Sequence, residues 1–194
     1  MNPPPALKDR IASGILATAA TVLAERGETV SMAEIAEAAG VGRATLYRYF
    51  PNREALLAGL VHAAFDDLSA RIADADLESV PVREGVARVA RAFLTAGGNY
   101  TAVINLKHSR SGRAALPLPA EADRRLAQPV RALLRRGAAD GTLRGDIPPD
   151  VQFEMLSALL ERTISQMALH DWGTERASAV ATALFLDGAV APPA

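Results

Sequence analysis

Apolar positions recur at three- and four-residue spacing along most of the chain, the period of helices that bury one face. The apolar/polar alternation of half-buried strands is absent, so the pattern predicts an all-α fold. Ile11, Ile15, Ala19, Val22 and Leu23 form the first stripe and predict a helix from about Leu7 to Arg26, stopped by Gly27. Met32, Ile35, Ala36 and Ala39 give a short second helix. Ser31 with Glu34 three residues on is a capping box at its start, and Gly40, able to take the left-handed conformation, ends it. After the Gly40-Val41 turn, a third helix from about Gly42 to Tyr49 buries Leu46 and Phe50. Asn52 then caps a fourth, from Arg53 to about Ala75, carrying Leu56, Leu57, Leu60, Phe65, Leu68 and Ile72.

The remainder continues in the same period. A break at Asp76–Pro81 precedes the stripe Val82, Val86, Val89 and Phe93, which ends at Gly97-Gly98. A shorter apolar segment runs from Asn99 to about His108, and Ser111–Pro119 reads as a loop. The helix from Ala120 to Ala139 should bend near Pro129, which lacks a backbone donor. Gly141–Asp150 reads as a turn. The helix Val151–His170 has two apolar stripes, Phe153, Leu156, Leu160, Ile164 and Met167 on one side and Val151, Met155 and Leu159 on another. A last helix, Thr174–Leu186, presents Ala177, Ala181 and Leu184 with Val180 and Phe185, and would bring the total to about nine helices. Two stripes on one helix are served either by monomer core alone or by core on one side and a partner on the other.

Two short helices joined by a glycine turn are the sequence image of a helix-turn-helix, whose second helix lies in the DNA major groove. The chemistry of Gly42–Tyr49 suits that place. Arg43 and Arg48 can bind guanine edges, Thr45, Tyr47 and Tyr49 carry hydroxyls for phosphate, and Ala44 permits close approach. No acidic residue lies between Val41 and Arg53.

The run LAERGETVSMAEIAEAAGVGRATLYRYFPNREALL resembles the N-terminal domain of the tetracycline-repressor (TetR) family of bacterial transcription regulators, with the likeness extending from about Ile11 to Leu60. AERG, IAEAAGV, TLYRYF and NREALL appear in order and at the family's spacing. The resemblance implies a helix-turn-helix DNA-binding domain over residues 6–52, and a larger helical domain for ligand binding and dimerisation over 53–194. It implies phosphate contacts from Thr45, Tyr47, Tyr49 and Arg53, base contacts from Arg43, Ala44 and Arg48, and either a cap or a phosphate contact for Ser31. Tyr49 stands where His is frequent in the family, and Arg53 where Lys is commoner; each keeps a polar or charged tip. The implied partners are a double-stranded, pseudo-palindromic DNA operator and a second copy of the chain joined through the last two helices. A small-molecule effector of unknown identity would release the DNA.

Composition alters this picture little. The formal net charge of −1 across 194 residues runs against the basic character of many nucleic-acid binders, and is the best support for the alternative of a helical small-molecule-binding or protein-interaction module that no longer binds DNA. The absence of cysteine excludes disulfides, thiol catalysis and Cys-ligated zinc. His62, His108 and His170 stand singly, which predicts no metal site, and no catalytic constellation or cofactor motif is recognisable, so an enzyme is not expected. MNPPPA has no signal-peptide pattern and no segment matches a membrane span, giving a cytoplasmic expectation with no membrane partner. Candidate effector-binding residues are the larger or stray polar side chains on apolar faces: Phe65, Phe93, Val103, Ile104, Asn105, His108 and Phe153.

Overall fold

The computed structural model describes residues 7–27, 29–99 and 121–189, and among them the regular elements are helical. In order these are α1 Leu7–Arg26, α2 Met32–Ala38, α3 Arg43–Tyr49, α4 Arg53–Asp74, α5 Val82–Asn99, α6 Gln128–Ala139, α7 Pro149–His170 and α8 Thr174–Ala189. A π-helical turn, Asp123–Ala127, runs directly into α6. Apart from Asn99, the expected short segment to His108 and the loop to Pro119 lie outside the described residues, so the described part holds eight of the roughly nine helices anticipated.

Packing divides the described chain inside α4. Residues up to Phe65 form one compact unit, and Asp66–Gly98 with the residues from 121 onward form the other. The first unit therefore reaches beyond the 6–52 span suggested by the sequence. The cause is burial: Leu56, Leu60 and Val61 of α4 share one core with Ile15, Ala19 and Leu23 of α1, Ile35 of α2 and Leu46 of α3. Ile11, at the start of the predicted α1 stripe, is only partly buried against that core.

In the second unit, α5 and α6 pack at glycines. A Cβ on Gly85 would fall 2.6 Å from Leu133 Cδ1, and one on Gly137 would fall 2.8 Å from both Leu143 Cγ and Val82 Cγ1. The disturbance predicted at Pro129 is the π turn before it, where the Gln128 N–H donates to the Asp123 carbonyl five residues back. Proline supplies no N–H of its own, and a widened turn re-pairs the preceding carbonyls. Helix α7 packs on both α6 and α8. Its two stripes part as their spacing requires: Leu156, Leu160 and Ile164 are buried, whereas Val151 and Met155 are exposed. Buried Gln152 anchors the start of α7, its Nε2 donating to the carbonyls of Arg144 and Ile147 at 2.9 Å each.

Candidate nucleic-acid interface

The start of α2 is fixed by the pairing of Ser31 and Glu34. The Ser31 N–H and hydroxyl donate to Glu34 Oε2 at 2.9 and 2.7 Å, and the Glu34 N–H donates back to Ser31 Oγ. Chiefly through the Ser31 hydroxyl, and then through the Ser31 backbone, the Glu34 carboxyl is held below its ordinary value. Of the two roles open to Ser31, the cap is formed. The turn that follows depends on Gly40 at φ 65°, a conformation cheap only without a Cβ. It lets Gly40 N–H donate to Glu37 and Val41 N–H to Ala36, both at 3.0 Å.

Helix α3 is held from beneath by Leu46, which is fully buried, and by Phe50 just past its end. The 100° step of the helix then turns Arg43, Ala44, Tyr47 and Arg48 to the exposed side. Thr45 and Tyr49 are half-buried at its edges, and Tyr49 packs against the core. The Arg48 guanidinium lies over the Tyr49 ring, 5.3 Å from its centre, a cation–π contact that restrains a long side chain without using up its hydrogen-bond donors.

Asn52 Oδ1 accepts the Ala55 N–H at 2.7 Å, capping α4 as the sequence predicts. Arg53 is half-buried, and its Nη1 donates to the Val30 carbonyl, tying the first turn of α4 to the residue before the α2 cap. The resemblance implies a phosphate contact for Arg53, whereas its bond to Val30 joins residues far apart in the chain. Ser31, Arg43, Ala44, Thr45, Tyr47, Arg48, Tyr49 and Arg53 thus all belong to one packing unit built around one core.

The effector candidates are more scattered. Val103, Ile104, Asn105 and His108 lie outside the described residues. Phe65 is buried on α4, Phe93 is half-buried on α5, and Phe153 of α7 lies under the Arg131 guanidinium at 4.5 Å. A cleft of about 860 Å³ opens in the second unit between Ser69–Leu77 and Arg124–Arg136, and Phe93 and Phe153 are not part of its lining. No helix of the described residues is long and apolar enough to cross a membrane. His62 pairs with the Ala58 carbonyl at 2.8 Å and His170 stacks on Trp172, and no group of side chains suited to a metal ion occurs among the described residues.

Residues 15–60 match the sequence profile described as bacterial regulatory proteins, tetR family. The chain is 40% identical over 90 residues to the HTH-type transcriptional repressor LfrR of Mycolicibacterium smegmatis, an alignment covering 46% of this chain and 47% of that protein, about half its length. It is 28% identical over 166 residues to the HTH-type transcriptional repressor KstR2 of Rhodococcus jostii, covering 80% and 81% of the two chains. The crystal structure of LfrR in complex with proflavine superposes with a TM-score of 0.73 at 26% identity, covering 95% of this chain and 99% of that one.

Proposed function

Because residues 15–60 match the tetR family of bacterial regulatory proteins, we propose that the chain is a regulator of that family, a ligand-responsive transcriptional repressor that binds a pseudo-palindromic operator as a dimer. One observation carries the reading. With Leu46 buried beneath it, α3 presents Arg43, Ala44, Tyr47 and Arg48 to solvent, with no acidic residue from Val41 to Arg53. Such a helix can enter a major groove, where bidentate arginine reads guanine and hydroxyls at the helix edges bind phosphate. Repressor activity is supported by the likeness to LfrR and KstR2, and response to a small molecule by the proflavine complex of LfrR. In this reading an effector held by the second unit acts through α4, which contributes Arg53–Phe65 to the first unit and Asp66–Asp74 to the second.

The test is selection of bound fragments from the organism's genomic DNA, followed by titration of the recovered site. Enrichment of a two-fold symmetric site with half-sites one duplex turn apart, about 34–36 Å, is the expected result. Enrichment of no sequence over random fragments would leave the helix-turn-helix without its proposed role.

A further inference from the structure

The cleft of the second unit has an apolar floor and a basic rim. Ile72, Leu77 and Leu133 contribute to the floor, and Leu77 and Leu133 are themselves buried. Among the lining residues four arginines, Arg124, Arg125, Arg135 and Arg136, face two carboxylates, Asp76 and Glu78. Their engagement differs. Arg136 spends its donors on the carbonyls of Leu77, Glu78 and Val80. Arg125 pairs with Asp66 at 2.9 Å, and Arg124 with Glu121 at 3.2 Å in an exposed pair. Arg135 is exposed and makes no ion pair or hydrogen bond among the described residues.

Two further features belong to the same place. Ser69 lines the cleft and is 4% exposed, yet its Oγ has no hydrogen-bond partner. An unpaired buried hydroxyl costs free energy unless something supplies a partner. The widened π turn contributes the consecutive pair Arg124-Arg125 to one wall, and such turns occur frequently at functional sites. A volume of about 860 Å³ also falls in the range of small-molecule pockets.

We propose that this cleft binds an amphipathic organic anion, with its anionic head at the end lined by Ser69 and Arg124 and its apolar body along the Ile72–Leu77–Leu133 floor toward the other end. Assigning that molecule the role of effector rests on the proposed function; the binding itself does not. Calorimetry on the free full-length chain, without DNA, therefore separates the two. The probes are octyl phosphate, octanoate, octanol and inorganic phosphate. Octyl phosphate or octanoate should bind at least about tenfold more tightly than octanol and than inorganic phosphate, since the site reads charge and apolar body together. The tighter of the two anions assigns the head group. Added salt should weaken the anions and leave octanol unchanged. Arg124→Glu should lower anion affinity at least about tenfold with little change in melting temperature, because that side chain is exposed, whereas Arg135→Glu, at the other end of the cleft, should change it less. Ser69→Ala should weaken it several-fold. Equal affinity for octanol and octyl phosphate, unchanged anion affinity in the Arg124→Glu variant, or no anion binding at millimolar concentration would each overturn the proposal.

Discussion

Arg48 and Arg53 carry the same charge in very different surroundings. Arg48 is exposed on α3 over the Tyr49 ring, and in the proposed function it reads base edges. Arg48→Ala should therefore cost about 1–3 kcal/mol at particular base pairs and relax sequence preference there. Arg53 is half-buried and bound to the Val30 carbonyl, so Arg53→Ala should weaken all sites alike and also lower the melting temperature. Titration against the operator and its single-base variants, with parallel melts, checks both. An Arg53→Ala protein that melted like the parent would deny the tether its role. A second prediction at this scale concerns acid. Glu34 is held below its ordinary value by Ser31, Asp123 by Gln128 and then Arg131, and Asp146 by Arg144. A carboxylate with a depressed folded-state value stabilises the fold above its unfolded-state value, and that contribution disappears as pH falls through the folded-state one. Stability should therefore fall on acidification through and below the usual carboxylate range. Glu34→Gln, which removes one such group, should melt lower at neutral pH and show a shallower acid dependence. All three carboxylates are solvent-exposed, so the effects should be small and salt-sensitive.

Among the elements, the contact of α5 with α6 depends on two glycines whose surroundings differ. The atoms facing Gly85 are those of one side chain, Leu133, nearest at its Cδ1 tip. Gly137 faces Leu143 at its branching carbon as well as Val82 on α5. A methyl group at Gly137 must push two buried side chains together, for which overpacking costs of about 1–3 kcal/mol are usual. Gly137→Ala should accordingly destabilise more than Gly85→Ala in denaturant melts, and the reverse order would show that the Leu133 side chain is the less yielding. Neither glycine is distinguished in the sequence, because each is defined by residues of another element. The same contrast governs legibility elsewhere. The run from Ser31 to Asn52 reads correctly because its signals are local: a capping box, a left-handed glycine and an asparagine cap act within three or four residues. The Arg136 bonds to Leu77, Glu78 and Val80 bridge more than fifty positions, and the Arg131–Phe153 contact joins two helices. No periodicity announces either. The cleft is missed for that reason, although the clustered arginines of Arg124–Arg136 were visible as composition.

The largest scale is that of the assembly. Among the described residues, the large apolar side chains left exposed are Tyr47 on α3 and four on the last two helices: Val151, Met155 and Leu169 on α7, and Leu184 on α8. Tyr47 is accounted for by the proposed DNA face. On α7 the others fall in one line, since steps of four, three, four and seven residues from Val151 lead through Met155, Ala158 and Arg162 to Leu169 on a single helical face. That line is distinct from the buried stripe of Leu156, Leu160 and Ile164, so the monomer core leaves it unpartnered. A second copy applied to α7 and α8 would cover it, giving the four-helix arrangement in which two-fold symmetry brings the same patch from each subunit together. Met155, 60% exposed, is the informative position, because a charge there meets water in the monomer and apolar surface in the dimer. Met155→Glu should leave the melting behaviour of an isolated chain nearly unchanged while shifting sedimentation at micromolar concentration from dimer to monomer. It should also weaken operator binding far more than half-site binding, since one head gains nothing from a partner it has lost. A dimer of undiminished stability carrying Met155→Glu would place the subunit contact elsewhere and leave the exposed stripe of α7 without an occupant.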